Sequence, residues 1–462
     1  MNTLCPLDGR YKERLAPLLS VMGENAFTLN RVRVECAWWA HLPTLKLPHF
    51  KGFSAKEQQL LTRVQNLQES DFQLLRDLEF KGYQHIPATK HDVKAVEYFL
   101  KLKLKNTPLA DRLEFLHFAL TSEDVNSVAY ALLLSDGLEK VLLPALIALQ
   151  KALAKLARKE ARGVMLARTH GQPAVPTTFG KEMRVFEVRL ARQIAQLKKQ
   201  QISCKFSGAV GNFNAHAVAF PRVNWPREAQ KFINKFNESR AVKIYLSPVS
   251  TQVDNRDSYA ELFDNLRRIN TILLDFCRDM WQYISSGKVV QKTKAGEVGS
   301  STMPQKVNPI DFENAEGNLQ LASALFTLLS QKLPVSRLQR DLSDSTTLRN
   351  MPVSFGYALL AYGSILKGLN KIAFDKRAAR EELSAHPEVL AEALQTILRA
   401  NGVAHPYETL RDFTRGKKIT APLLCNFINT LQIDQHLKER LQELSVEDYI
   451  GLAVLLAEGK YD

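Results

Sequence analysis

The residues best suited to chemistry in this chain lie in a stretch from Gly296 to Asn314, GEVGSSTMPQKVNPIDFEN. Asn308 followed by Pro309 is typical of a helix start, because asparagine caps well and proline is tolerated in the first turn. The preceding loop would lead into a helix amino terminus, where backbone N–H groups and positive potential converge. Lys306 adds a full positive charge, and the hydroxyl of Ser300 lies upstream. The pattern predicts an anion-stabilising pocket with hydroxyl groups at its edge; an ordinary loop is the alternative.

His170 lies in a second break, ARTHGQPAVPTT, between two helical patterns. Gly171 follows it at once and Pro173 soon after, which predicts that the histidine lies on a fixed turn. Imidazole titrates near neutral pH without help, so His170 is a candidate general acid or base. A turn histidine with a backbone partner is the alternative interpretation.

Two further breaks carry polar side chains that could hold an anionic substrate. The first, LTSEDVN, is also a good helix start, in which Thr121 or Ser122 caps and two acidic residues lie near the positive end. The second, SRLQRDLSDSTTLRN at residues 336–350, contains three arginines and several hydroxyls. Guanidinium groups match phosphate and carboxylate geometrically, although a solvated charged turn is equally compatible with this stretch.

Apolar periodicity predicts that long helices position these breaks. An apolar residue recurs at alternating spacings of four and three at Leu262, Leu266, Ile269, Leu273, Phe276 and Met280. Helices of about twenty-five residues would be roughly 40 Å long, and several of them side by side form an elongated bundle. The predicted fold class is all-α, an elongated long-helix bundle with smaller helical domains at both ends. The best candidate for a short extended segment is 241–252.

The positions of proline and glycine, together with changes in composition, divide the chain into three predicted domains. Residues 1–106 hold shorter helical patterns interrupted by proline and glycine, and they form the N-terminal helical domain. Residues 107–365 form the central long-helix bundle with the glycine- and serine-containing loop. Residues 366–462 form a smaller C-terminal helical domain.

Charge and composition limit the classes of partner. The 462 residues include 62 basic and 48 acidic ones, a net charge of +14, which first suggests nucleic acid. The excess is spread along helix faces without interleaved aromatic residues, which disfavours nucleic acid. A small polyanionic substrate would use the same positive field, and the charge is equally compatible with no partner of this kind. Scattered cysteines, the lack of a signal-peptide core and the short apolar runs predict a cytoplasmic protein without membrane contact. No ligand cluster or dinucleotide motif occurs in the sequence, so we expect no metal and no organic cofactor.

The stretch GSSTMPQKVNP resembles the signature loop of the fumarase/aspartase superfamily, whose members form helical-bundle homotetramers and release fumarate by β-elimination. Together with KHDVKAVEYF, TSEDVN, RTHGQPA, STMPQKVNPIDFEN and KLPVSRLQRDLSDSTTLRN, it resembles the adenylosuccinate lyase family in its bacterial form. The resemblance covers essentially the whole chain in the same order. It implies cleavage of a C–N bond in adenylosuccinate, giving AMP and fumarate. It also implies cleavage of the succinylcarboxamide ribonucleotide SAICAR to AICAR in purine nucleotide biosynthesis.

The resemblance further implies roles for individual residues. Ser300 would be the general base, six residues before Lys306, and His170 would be the general acid. Glu313 would orient His170, while Lys306 and Asn308 would stabilise developing charge. The implied phosphate and nucleotide contacts are Arg10, Tyr11, Arg340, Ser345 and Arg349. The implied contacts to the base, ribose and succinyl part are His91, Asp92, Thr121, Ser122, Gln252 and Asn314. Each site would combine loops from three subunits of a homotetramer.

Two positions depart from the pattern of the adenylosuccinate lyase family. Gln305 replaces the usual histidine, and glutamine at this position is typical of argininosuccinate lyases. Lys90 stands where a smaller polar residue is expected. The alternatives are therefore another fumarate-releasing lyase, such as argininosuccinate lyase, and a non-catalytic basic binding protein on the same scaffold. The stretches VNPIDFEN and SDSTTLRN favour the adenylosuccinate lyase family.

Overall fold

The computed structural model describes residues 3–292, 303 and 306–460. Most of this part of the chain is helical, as predicted. The α-helices are α1 Ala16–Met22, α2 Glu24–His41, α3 Ala55–Val64, α4 Glu69–Phe80, α5 Asp92–Leu104, α6 Ser122–Gly137, α7 Leu143–Lys159, α8 Phe179–Leu197, α9 Asn214–Ala219, α10 Trp225–Lys235, α11 Asp257–Ser285, α12 Ile310–Lys332, α13 Ser343–Leu348, α14 Met351–Lys371, α15 Lys376–Ser384, α16 Ala391–Ala400, α17 Pro406–Thr414, α18 Ala421–Thr430, α19 Gln435–Gln442 and α20 Ala453–Glu458. None of the helices in the described residues is long and apolar enough to cross a membrane.

The predicted apolar seam of α11 is buried along its whole length. Its members are each 0% exposed: Leu262, Leu266, Ile269, Leu273, Phe276 and Met280. Full burial of such a side chain contributes about 1.5–3 kcal/mol, so the seam outweighs the small differences in helix propensity along the segment. The equivalent seam of α8 is buried as well, at Met183, Phe186, Leu190, Ile194 and Leu197.

Six short strands accompany the helices in the described residues: β1 Val164–Thr169, β2 Gln172–Thr178, β3 Ile202–Cys204, β4 Ile244–Leu246, β5 Val289–Gln291 and β6 Ile372–Phe374. β1 and β2 form an antiparallel hairpin, β3 and β4 are parallel, and β5 and β6 are antiparallel. The predicted extended segment at 241–252 is confirmed for the three residues of β4. The hairpin was not predicted.

The chain forms two compact units that are interleaved in sequence. The first comprises Met1–Leu146, Gln193–Thr271 and Gly317–Ala361, and the second comprises Ile147–Arg192, Ile272–Glu316 and Tyr362–Asp462. α1 to α6 and the β3–β4 pair belong to the first unit. The β1–β2 hairpin, the β5–β6 pair and α15 to α20 belong to the second. The three-domain division by sequence position stays a prediction.

The first unit contains a histidine that is buried at the end of α2. This residue, His41, is 2% exposed, and neither ring nitrogen has a hydrogen-bond partner among the residues that the structure describes. Its Nε2 lies 3.6 Å from Glu228 Oε2, which is too long for a hydrogen bond. Burial, together with the positive charge of Lys235, lowers the pKa of His41 to about 4. The folded chain therefore holds this imidazole neutral.

Replacing His41 with leucine should make the protein less sensitive to acid. In the unfolded chain the imidazole takes up a proton below about pH 6.5, whereas the folded chain resists protonation down to about pH 4. Stability is therefore lost as the pH falls through this window, by about 1–2 kcal/mol between pH 7 and pH 5. Urea unfolding at both pH values should show a smaller loss for His41→Leu than for the wild type. His436→Leu, at an exposed histidine, is the matched control; an unchanged loss in His41→Leu would contradict the prediction.

Candidate active site

His170 lies in the two-residue turn that joins β1 to β2. Thr169 pairs with Gln172 across the turn, and φ is 51° at His170 and 74° at Gly171. Two successive positive φ values are what a type I′ hairpin requires; glycine adopts them freely and histidine more readily than most residues. The predicted fixed turn is confirmed, and it presents an exposed imidazole.

Three charged side chains in the second unit, Arg168, Glu382 and Lys288, hold this turn in place. Arg168 Nη1 donates to the carbonyl oxygen of Gly171 at 3.1 Å, and its Nη2 lies 2.5 Å from Glu382 Oε1 on α15. Lys288, immediately before β5, lies 2.8 Å from the other oxygen of Glu382. Burial acts to raise the pKa of Glu382, but the hydrogen bonds from Arg168 and Lys288 hold it below its usual value. Glu382 therefore links the hairpin that carries His170 to the segment that enters β5.

The helix predicted after Asn308 is present and begins at Ile310. The N–H groups of Phe312 and Glu313 donate to the carbonyl oxygen of Pro309 at 3.0 and 3.2 Å. Pro309 thus occupies the capping position that the sequence pattern assigned to Asn308, a shift of one residue. The first turn contains the expected acidic residues.

The predicted catalytic residues Lys306 and Glu313 have separate environments in the described part of the chain. Lys306 is exposed, and Glu313 Oε1 accepts a hydrogen bond from Trp281 Nε1 at 3.1 Å. Among the described residues, no hydrogen bond or ion pair joins His170 to Glu313 or Lys306. Ser300 lies outside the described residues. The orienting role of Glu313 stays a prediction.

Asn314 and Gln305 are two further positions that the sequence analysis named in this region. Asn314 Oδ1 accepts a hydrogen bond from Ser364 Oγ at 2.9 Å, so the predicted substrate contact lies against α14. Gln305 lies outside the described residues.

The predicted helix start at LTSEDVN is confirmed in the first unit. The N–H of Thr121 donates to Asp124 Oδ2 at 2.9 Å, one half of a capping box at the start of α6. Asp124 and Lys205 are fully buried as an ion pair at 2.6 Å, and the N–H of Ser207 donates to Asp124 at 2.8 Å. Asp124 thus has a structural role, and it fixes the residue that precedes Ser122.

His91 meets Ser122 directly. His91 caps α5, because its Nδ1 accepts a hydrogen bond from the N–H of Lys94 at 3.3 Å. An acceptor at Nδ1 places the proton of the neutral ring on Nε2, which lies 3.2 Å from Ser122 Oγ. The contact brings together two of the residues predicted to bind substrate.

Asp92, the first residue of α5, has two arginine partners. It forms an ion pair with Arg31 and lies 3.4 Å from Arg349 Nη2. Burial acts to raise the pKa of Asp92, but the charge of Arg31 outweighs it and the pKa lies below its usual value. Arg31 also donates to Asn126 at 2.8 Å, so it connects the starts of α5 and α6.

Arg340, Ser345 and Gln252 form a second contact group. Arg340 Nη1 donates to Gln252 Oε1 at 3.1 Å, and its Nη2 donates to Ser345 Oγ at 3.2 Å. The residues are 88 and 5 positions from Arg340 in sequence, so only the fold brings all three together. Each of the three was predicted to bind substrate.

A cavity of about 560 Å³ in the first unit is lined in part by the Asp92 cluster described above. Arg31, Asp92, Arg349 and Lys12 supply charged lining, and leucine and phenylalanine side chains supply apolar lining. The volume lies within the range typical of small-molecule sites. Arg10 and Tyr11 immediately precede Lys12, and the Arg10 guanidinium lies 5.9 Å from the centre of the Tyr11 ring. The described residues contain no group of three or more His, Cys, Asp or Glu side chains that could hold a metal ion.

Sequence relatives place the chain among the lyases. A lyase family profile matches residues 31–322, and a profile described as the adenylosuccinate lyase C-terminal domain matches residues 336–450. The adenylosuccinate lyase of Haemophilus influenzae is 45% identical over 461 residues, covering 99% of this chain and 98% of the relative. The chain belongs to the adenylosuccinate lyase family. The adenylosuccinate lyases of Escherichia coli K12 and Dictyostelium discoideum are each 42% identical, over 99% and 98% of this chain and 98% and 97% of their own lengths.

Solved structures agree with the helical fold of this family member. A fumarate lyase from Mesorhizobium superposes with a TM-score of 0.73 at 19% identity, covering 96% of each chain. A β-carboxy-cis,cis-muconate cycloisomerase from Acinetobacter superposes with a TM-score of 0.72 at 16% identity, again over 96% of each chain. The predicted family and the predicted fumarase-type helical fold are both confirmed.

Sequence patterns did not single out several charged residues around the predicted site of this family member. Arg31, Lys205 and Arg256 are buried, and each pairs with a carboxylate at least 61 positions away in sequence. No short sequence motif indicates ion pairs between residues so far apart in sequence. A weak signal was available for Arg31, which lies within the apolar helical pattern of α2, because buried arginine is rare unless it is paired.

Proposed function

We propose that the enzyme cleaves the C–N bond of adenylosuccinate to give AMP and fumarate, and that of SAICAR to give AICAR and fumarate, in the cytoplasm. The observation that carries the proposal is the contact group of Gln252, Arg340 and Ser345, three residues that the family resemblance assigns to substrate binding. The full-length relatives named adenylosuccinate lyase support the same reaction. The argininosuccinate lyase alternative is not favoured by these relatives.

In the proposed reaction, Ser300 removes a proton from the succinyl carbon beside a carboxylate. The electron pair of that C–H bond becomes the second bond of the fumarate double bond. The C–N bond breaks with its electron pair on nitrogen, which takes a proton from His170. Negative charge builds up on the carboxylate, and Lys306 with the N–H groups at the start of α12 would stabilise it. A positive environment also favours the ionised form of a serine, which is otherwise a poor base.

The substrate phosphate would bind to the arginine-rich segment that follows α12. Arg340 and Arg349 present guanidinium groups that match a phosphate bidentately, and Ser345 adds a hydroxyl. Arg349 is exposed on the edge of the cavity, where its contact with Asp92 is long enough to exchange for a stronger anion. The strongly positive net charge would attract this dianionic group from solution.

The test is fumarate release by the purified protein from adenylosuccinate, SAICAR and argininosuccinate. We expect release from both purine substrates and none from argininosuccinate. Release from argininosuccinate alone would overturn the proposal. Tight, salt-dependent binding of duplex DNA without any release would also overturn it, in favour of a non-catalytic binding protein.

We also propose a homotetramer with shared sites, and an exposed apolar face of α12 supports this association. One side of this helix packs inside the chain through Ala315, Leu319, Ala322, Phe326 and Leu329. Its outer face, which we define as Gly317, Leu321, Ala324 and Leu328, is exposed. Leu321 and Leu328 are 51% and 52% exposed, and the spacing of four, three and four is that of a helix–helix contact. A helix that is apolar on both sides is typical of the interior of a larger bundle.

Charged substitution of the outer face should break the assembly and the activity together. In the double variant Leu321→Arg, Leu328→Arg, association would bury two unpaired cations, so the tetramer should dissociate. We expect fumarate release to fall by more than about tenfold, because a subunit alone lacks part of the site. Light scattering and the release assay measure the two effects. Gln435→Arg on the polar exposed side of α19 is the control; a fully active, tetrameric double variant would contradict the prediction.

A further inference from the structure

Arg256 lies at the centre of a buried network of charges in the first unit. It is 3% exposed, its Nη2 donates to Glu123 Oε1 at 3.0 Å, and its Nη1 donates to Asp344 Oδ2 at 2.7 Å. Both carboxylates are 2% exposed or less. Two buried negative charges thus share one guanidinium, which can satisfy both because its donors point in fixed, divergent directions.

The second oxygen of each carboxylate faces a residue of the proposed phosphate site. Glu123 Oε2 lies 3.4 Å from Arg340 Nη2. Asp344 Oδ1 accepts hydrogen bonds from the N–H of Ser345 at 2.7 Å and from its hydroxyl at 3.3 Å. Arg256 therefore reaches both Arg340 and Ser345 through one intervening carboxylate each.

The backbone of Arg256 is held in a conformation that its side chain disfavours. Its φ is 60°, in the left-handed region that non-glycine residues rarely adopt. The N–H donates to Asp254 Oδ2 at 2.9 Å, and Asp254 in turn accepts a hydrogen bond from Ser203 Oγ at 2.6 Å. Nearby hydrogen bonds therefore impose this backbone geometry, which directs the guanidinium to the two carboxylates.

We propose that Arg256 is a positioning residue for phosphate recognition: through Glu123 and Asp344 it holds Arg340 and Ser345 in the arrangement that receives the substrate phosphate. This inference rests on the proposed function and deepens it. Arg256 is too deeply buried to touch the substrate itself. The two carboxylates of Glu123 and Asp344 are matched by the two guanidinium groups of Arg256 and Arg340 before the phosphate binds. The Arg340 side chain, which is 22% exposed, is held ready at the site.

Arg256→Lys tests the inference while preserving charge. Lysine is a compact point charge that cannot donate to both carboxylates at once, so Arg340 and Ser345 lose one anchor. We expect the AMP dissociation constant to rise about tenfold, as for the loss of a charged hydrogen bond. The kcat/KM for adenylosuccinate should fall by a similar factor. Arg184→Lys is the matched control, since Arg184 is also buried and ion-paired, with Glu187 at 2.9 Å.

A double-mutant cycle with Arg340→Met separates positioning from general loosening of the structure. If Arg256 acts through Arg340, Arg256→Lys should weaken AMP binding much less in the Arg340→Met background than in the wild type. Additive effects, or unchanged AMP binding in folded Arg256→Lys, would overturn the inference. Should Arg256→Lys fail to fold, Glu123→Gln, which removes the carboxylate charge facing Arg340, should show the same non-additivity; additivity there would overturn the inference instead. An inactive wild type would count against the proposed function alone, because AMP binding can be measured without turnover.

Discussion

His170→Asn should lower kcat for fumarate release by about 10²–10⁴-fold, the usual contribution of a general acid. Asparagine cannot protonate the departing nitrogen. It does tolerate the positive φ of 51° found at this position, so the type I′ turn should persist. The loss is therefore chemical, and the thermal unfolding temperature and the assembly state should stay at their wild-type values.

The chain contains a matched control for this substitution. His405 is also an exposed histidine with positive φ, 53°, immediately before α17. His405→Asn should leave kcat within about twofold of the wild type, as expected for a surface position away from the chemistry. Equal losses in both variants would show that the effect of His170→Asn is not that of a lost acid.

Ser300→Ala should lower kcat at least as strongly, because it removes the group proposed to take the proton from carbon. A methyl group cannot accept a proton, and a water molecule that fills the space would be a much weaker base than the stabilised serine alkoxide. We therefore expect kcat to fall by about 10³-fold or more. Steady-state fumarate release measures it, and Ser301→Ala is the control at the neighbouring hydroxyl. Full activity of Ser300→Ala would contradict the proposed mechanism.

Mixing the two inactive variants tests whether the acid and the base come from different subunits. After random subunit exchange between His170→Asn and Ser300→Ala, a site drawing the two residues from two chains is intact in about a quarter of cases. We expect a corresponding recovery of activity. No recovery after demonstrated exchange would place both residues of a site on one chain.

Helical periodicity was a reliable guide to the fold because burial decides which face of a helix points inward. The residues from Leu262 to Met280 that recur every three or four positions are all buried in α11. The hairpin at Val164–Thr178 was not predicted by periodicity. Proline interrupts β2, and the turn is His-Gly rather than the Asn-Gly or Asp-Gly that usually marks a two-residue hairpin.

The candidate site was predictable where its residues lie in local motifs. The LTSEDVN helix start and the Asn308–Pro309 entry follow from capping chemistry, which acts over three or four residues. The buried partners of Arg256 lie 133 and 88 positions away, so their pairing depends on the tertiary fold. Local capping rules also do not indicate which carboxylate is structural: Asp124 is locked to Lys205, whereas its neighbour Glu123 faces Arg340.

The outer face of α12 has a consequence for the newly synthesised polypeptide. In a single subunit Leu321 and Leu328 are exposed to water, where they favour non-specific aggregation. In the proposed tetramer, association both covers this face and completes the site. Cellular output of the enzyme would then rise more steeply than linearly with the amount of polypeptide at low expression, and dilution of a purified sample would lower its specific activity.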